Sequence, residues 1–245
     1  MNKQLLKRHW NWLIDLVFPG FCPVCEQSPF LDGSHYTCLG CLDKIAWITG
    51  TRCKLCGMSM AGMDFQGLYC AGCREENFSF DEGRCMFALD ENSRKLIHEL
   101  KYHGARDVIR DFSAWIERAP GFLSFLEDSV LIPVPLHSRR LKSRGYNQSL
   151  WIAEAMMKEL GAKSELSTCL KRTKNTPTQT KLDRDQRKGN VKGAFALQAG
   201  IPLNRKKRIV LVDDVFTTGA TLDACAHELR EQGFRRIAVA TLGHG

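Results

Sequence analysis

Among the residues able to do chemistry, the cysteines stand out first, because eight of the 11 fall into four CxxC pairs. These are Cys22 with Cys25, Cys38 with Cys41, Cys53 with Cys56, and Cys70 with Cys73. Twelve residues lie between the first two pairs and 13 between the last two. Thiolates in such knuckles suit tetrahedral Zn²⁺, which favours sulfur and imposes no geometry of its own. Two sites, Cys22/Cys25/Cys38/Cys41 and Cys53/Cys56/Cys70/Cys73, are the simplest assignment. A crossed arrangement, with the first and third knuckles sharing one ion, uses the same residues. Disulfides would need an oxidising compartment, and no export signal is expected in this sequence. Iron–sulfur clusters use tighter spacings. Four thiolates close the coordination shell, so two structural zinc ions are expected, supplying much of the local folding free energy. Cys85, Cys169 and Cys225 stand alone and read as buried thiols.

A second chemical centre lies near the other end, in Val210-Leu211-Val212-Asp213-Asp214-Val215-Phe216-Thr217-Thr218-Gly219-Ala220-Thr221. A buried apolar strand over 209–212 would carry its end to the carboxyl edge of a sheet, where ligands bind in open α/β folds. Two acids follow it. The loop Thr217, Thr218, Gly219, Ala220 and Thr221 is small enough for its backbone N–H groups to surround a phosphate. It opens a helix, whose N-terminus favours an anion. No Gly-Lys-Thr/Ser follows, and the acids precede the loop, so this is not a Walker A sequence.

These centres need elements to hold them. After residue 79 the pattern turns to alternating strands and helices, the mark of an α/β sheet. Strands are expected around Cys85–Leu89, Val130–Val134, Ile209–Val212 and Arg236–Leu242. Helices are expected over Ser93–Tyr102, Arg106–Ala119, Asn147–Leu160 and Thr221–Gln232. The division is therefore a zinc-binding module over 1–79 and a larger α/β domain over 80–245. Within the first, Leu6, Trp10, Leu13, Ile14 and Val17 have helical spacing and suggest a helix packed on the rest of the protein. No apolar run reaches the roughly 18 residues that span a bilayer, so a cytoplasmic protein is expected.

The net charge of +8 is concentrated. From His137 to Lys192 there are 14 basic against 5 acidic residues, leaving the remainder almost neutral. An anionic partner is expected there. Arg139 and Arg140 follow the strand that ends in Pro133-Val134-Pro135, and Arg144 opens Arg144-Gly145-Tyr146-Asn147-Gln148. The polar stretch from Lys171 to Asn190, with Arg172, Arg184 and Arg187, reads as a binding loop.

The apolar–acid–acid–apolar–x–Thr–small–Gly–small–Thr pattern resembles the ribose-phosphate motif of type I phosphoribosyltransferases. The order of four CxxC knuckles, Leu100-Lys101-Tyr102, Pro133 to His137, Arg144 to Gln148, and the acid pair with its loop resembles the ComF family. That resemblance implies a parallel-sheet phosphoribosyltransferase fold behind a double zinc ribbon. It implies that Asp213 and Asp214 bind ribose hydroxyls and its metal, with Thr217 to Thr221 around the 5-phosphate. Arg139, Arg140, Arg144, Arg184 and Arg187 would face a pyrophosphate. Phosphoribosyl pyrophosphate (PRPP) with Mg²⁺ is the ligand implied, and the role implied is competence and the handling of imported single-stranded DNA beside helicase and recombination-loading proteins. A salvage phosphoribosyltransferase and a zinc-based interaction module on a non-catalytic fold are the alternatives. No base-recognition element is evident in the sequence.

Overall fold

The computed structural model describes residues 21–27, 36–60, 68–104, 106–174, 193–201 and 203–245. Two helical turns, α1 (Leu39–Leu42) and α2 (Ala71–Arg74), each close one cysteine set. Strand β1 (Glu82–Ala88) leads to α3 (Glu91–His98), which runs on as a π-helical turn, Glu99–His103, and stops at Gly104. A 3₁₀ stretch, Arg106–Asp111, enters α4 (Phe112–Arg118) and then α5 (Phe122–Leu126). There follow β2 (Ser129–Pro133), α6 (Ser138–Arg144), α7 (Gln148–Glu159), β3 (Glu165–Leu166), β4 (Leu170–Arg172), β5 (Phe195–Leu197), β6 (Arg208–Phe216), α8 (Ala220–Glu231) and β7 (Ile237–His244).

Five strands form a parallel sheet in the order β1-β7-β6-β2-β3, while β4 and β5 pair antiparallel as a separate hairpin. Helices cover both faces, so the central strands are continuous apolar runs rather than alternating ones. All of β2 is buried, as is β6 from Ile209 to Val212. Ile152, Ala153 and Met156 of α7 pack with Leu131, Val210 and Val212. On the other face, Leu222, Cys225, Ala226 and Leu229 of α8 pack with Val130, Ile132, Ile209 and Leu211. Strands β2 and β6 are neighbours whose following helices leave to opposite faces. Between their carboxyl ends the sheet opens a crevice, the topological switch point where such folds bind ligands.

Two of the helices that frame this crevice, α3 and α7, are capped by their own side chains. Asp90 accepts from the Ser93 N–H at 2.7 Å, and the Ser93 hydroxyl accepts from the Asp90 N–H at 2.9 Å, a reciprocal cap on α3. Asn147 caps α7 by accepting from the Ser149 N–H at 3.1 Å, and its amide donates to the Val134 carbonyl.

The cysteine-rich segment packs into the sheet rather than beside it. Ile48 donates to Met86, Ala88 donates to Ala46, and Trp47 bridges Phe87 antiparallel, so residues 46–48 line the free edge of β1. Farther along, Gly83 donates to the Lys54 carbonyl at 2.8 Å. A Cβ on Gly83 would collide with the Leu55 carbonyl oxygen, and one on Gly57 would stand 2.7 Å from the Cys85 nitrogen. Cys22 and Cys41 join the apolar cluster of one sheet face, and Cys53, Cys56, Cys70 and Cys73 that of the other. The lone thiols Cys85, Cys169 and Cys225 are buried, as their isolation suggests. Burial pushes the Cys85 thiol up to about 12.

Two sequence expectations at the crevice shift, and the single helix expected over Arg106–Ala119 divides into a 3₁₀ stretch and α4. Strand β6 does not end before the acids but runs through them to Phe216, because β7 extends alongside and pairs Asp213 with Thr241 and Phe216 with His244. Lys171 and Arg172 lie in β4 rather than in a loop, since Arg172 finds Phe195 opposite. The N-terminal helix, with most of the Lys171–Asn190 stretch, lies outside the described residues. No helix among the described residues is long and apolar enough to cross a membrane.

Candidate functional site

Asp213 and Asp214 sit on β6 at the floor of the crevice. Asp214 is 5% exposed. Its Oδ1 meets the Lys101 Nζ at 2.9 Å, and its Oδ2 accepts from the Gln148 amide at 2.9 Å. The Asp213 Oδ1 accepts from the Ser149 hydroxyl at 2.8 Å and from the Asp214 N–H at 3.0 Å. Both partner side chains come from the first turn of α7, so its Asn147 cap also sets their aim. Burial, with the neighbouring Asp214 charge, pushes the Asp213 carboxyl up to about 7, against the pull of Ser149 and Lys101. Burial works against the Lys101 charge, but Asp214 and Asp213 together hold its pKa above the ordinary lysine value.

The loop after the acids turns at Gly219, whose φ of 74° favours glycine. Space demands it too: a Cβ there would stand 2.7 Å from Phe216 Cζ and 3.1 Å from Phe78 Cε1. Phe78 and Phe80 stack at 4.6 Å and meet Phe216 edge-on, a rigid base beneath the loop. Gly219 is the N-cap of α8 and supplies no side-chain cap. Of the predicted loop residues, Thr217, Gly219 and Thr221 line the crevice. Thr218 turns back to accept from the Ala220 N–H at 3.4 Å, and neither it nor Ala220 lines the crevice.

The crevice has a volume of about 460 Å³, and basic side chains line its other walls among apolar ones such as Leu89, Ile97, Val134 and Leu136. Arg94, His98 and Lys101 enter from α3 and its π turn, Arg140 and Arg144 from α6, and Arg172 from β4. Arg144 donates to the Gln148 Oε1 at 2.6 Å, so Gln148 ties the α6 cation to the buried acid. Burial and the nearby Arg140 lower the pKa of Arg172. Arg139 is exposed and turned away, its backbone N–H donating to the His137 Nδ1. Arg184 and Arg187 lie outside the described residues. Arg94 and His98 escaped the sequence reading, although the spacing i, i+4, i+7 to Lys101 puts all three on one helical stripe.

The cysteines gather as two sets of four, Cys22/Cys25/Cys38/Cys41 and Cys53/Cys56/Cys70/Cys73, with ligand atoms of each set within 4.8 Å of one another. Sequential pairing therefore holds, and the crossed arrangement does not. The Cys25 and Cys38 sulfurs are 3.9 Å apart, and those of Cys56 and Cys70 are 3.8 Å apart. A tetrahedron with Zn–S near 2.3 Å has edges of about 3.8 Å, so both sets fit zinc. The Cys70 N–H donates to the Cys53 sulfur at 3.3 Å, fixing that ligand from behind. Asp214 fits Mg²⁺ poorly. Both Asp214 oxygens are committed to Lys101 and Gln148, whereas Mg²⁺ demands a near-octahedral set of oxygens.

Residues 13–74 match the double zinc ribbon domain family, and residues 146–244 match the phosphoribosyl transferase domain family. The chain is similar to the Competence protein F of Haemophilus influenzae, 28% identical over 82% of this chain and 87% of that protein. It is similar to the DNA utilization protein YhgH of Escherichia coli, 29% identical over 91% of this chain and 96% of that one. Competence protein ComFC of Bacillus subtilis is 25% identical over 80% of this chain and 78% of its own.

Proposed function

We propose, from the premise that this chain belongs to the family of Competence protein F, ComFC and DNA utilization protein YhgH, that its crevice binds a phosphorylated ribose of the PRPP type. One observation carries this reading: an acid pair at the switch point runs directly into a glycine turn and an N-terminus without a side-chain cap, facing a wall of cations. Each part has its use. The α8 N-terminus and the Thr217 and Thr221 positions offer donors to a 5-phosphate. Asp213 accepts from ribose hydroxyls. Arg140 and Arg144, with Arg172 behind them, neutralise a pyrophosphate on the far side of the sugar. If the site turns over, a nitrogen nucleophile takes C1 as the C1–O bond to pyrophosphate breaks. Catalysis then rests on positioning and on charge placed where the leaving group gains it.

The names of the relatives add a setting. We read the protein as a cytoplasmic participant in the handling of imported single-stranded DNA, with competence helicase and recombination-loading proteins as its partners. Titration calorimetry of the zinc-loaded protein with PRPP tests the ligand. Micromolar binding that falls at least about tenfold in Asp213→Asn supports the reading. No binding in either protein sinks it. Release of pyrophosphate with any free base would move the function to nucleotide salvage.

A further inference from the structure

The ion pair of Lys101 with Asp214 occupies ground that a metal ion would need. Asp214 lies deep in the crevice, its side chain 6% exposed, and Lys101 beside it is 27% exposed. The lysine comes from the π-helical turn between α3 and Gly104, a distortion frequent at functional sites. Its neighbour across the acid is the Gln148 amide, so a cation and a neutral donor each engage one carboxylate oxygen.

We propose that Lys101 is the site's own cation: its ammonium takes the charge-balancing place of a divalent ion at the acid pair, so PRPP binds without divalent metal. The proposal rests on the phosphoribosyl reading of the crevice. Three facts support it. Mg²⁺ sheds water reluctantly and needs several oxygen ligands, and each Asp214 oxygen already holds a donor, Lys101 on one and Gln148 on the other. An ammonium has three N–H donors, and Asp214 uses one, leaving others for ligand oxygens. The charge that a metal would bring to a pyrophosphate is already present in Arg94, Arg140, Arg144 and Arg172, all lining the same crevice. The proximity of both acids also keeps Lys101 charged throughout the neutral range.

The test is calorimetry of PRPP with the full zinc-loaded protein, in Mg²⁺ and in Mg²⁺-free buffer, with zinc content checked in both. In the unaltered protein the two affinities should agree within about threefold. Lys101→Met should lose at least about tenfold in Mg²⁺-free buffer and recover part of it with Mg²⁺, while Lys101→Arg should remain metal-independent. Lys101→Met leaves a buried carboxylate unpaired, so Lys101→Met/Asp214→Asn, which removes both charges, serves as the fold-preserving companion. Binding by the unaltered protein only when Mg²⁺ is present overturns the role of Lys101 and leaves the phosphoribosyl reading standing. A Lys101→Met protein as tight and as metal-independent as its parent overturns it too. No binding in either buffer overturns the phosphoribosyl reading and this proposal with it.

Discussion

The Asp213 carboxyl titrates near 7 in the folded chain against 3.8 for a free aspartate. Between those values the folded state holds a proton that the unfolded state has released, so stability falls as pH rises through that window. Asp213→Asn should therefore melt higher than its parent at about pH 8, and the advantage should vanish near pH 4. Thermal denaturation at both pH values reads this directly; a constant difference would mean that the carboxyl is not the source. Burial raises Asp213 most and the Asp214 charge adds to it, while Ser149 and Lys101 lower it, and Arg172 and Cys225 also lie within electrostatic reach. At Gly219 the constraint is steric as well as conformational. Gly219→Ala should cost about 1–2 kcal/mol for its backbone alone, and more as Phe216 and Phe78 are pushed aside. Phosphate-ligand affinity should fall with it, since the loop cannot keep its shape.

The first zinc ribbon is tied to the elements that form the crevice. Lys95 of α3 donates to the Val24 carbonyl at 2.8 Å, between the first two cysteine ligands. Asp111, 3% exposed at the start of α4, accepts from the N–H groups of Tyr36 and Thr37 at 3.0 and 2.7 Å. Asp111→Ala strands two backbone donors, at about 1–3 kcal/mol each. The expected result is faster zinc loss from the first set, read by a chelating dye, with the second set retained. Because α3 carries Arg94, His98 and Lys101, ligand affinity should drop as well. This coupling was not legible in the sequence. The cysteine spacing and the loop after Asp214 are local patterns, and each announces its chemistry within a few dozen residues. Lys101 and Asp214 meet only because α3 follows β1 to the carboxyl edge where β6 also ends. Nothing within the Leu100-Lys101-Tyr102 triplet points to that partner. Arg139 and Arg140 look equivalent in sequence, yet only the turn of α6 decides that Arg140 faces the crevice. The strand looked finished at Val212 because two adjacent acids interrupt its apolar run; pairing with β7 carries it on through Val215 and Phe216.

Across the whole molecule, the net charge of +8 and the cationic walls of the crevice act together. A multiply charged phosphate ligand should bind more weakly as salt rises, with the loss concentrated within the Debye length of about 10 Å at 0.1 M. Arg140→Ala should lower affinity about tenfold and flatten the salt dependence, whereas Arg139→Ala, on the outer side of the same helix, should do neither. The linker between ribbon and sheet is held with similar care: Ser79 donates to Asp223 on α8, and Arg230 pairs with Asp81. The ribbons thus serve as structural parts of the sheet domain, which brings the covered edge of β1 into a different light. A seven-residue strand rich in apolar residues, left bare, is a template for pairing with another chain. Residues 46–48 shield it only while the thiolates on either side hold their ions. Zinc starvation should then appear first as self-association: light scattering after chelation should rise before the sheet unfolds, and restored zinc should prevent but not reverse it.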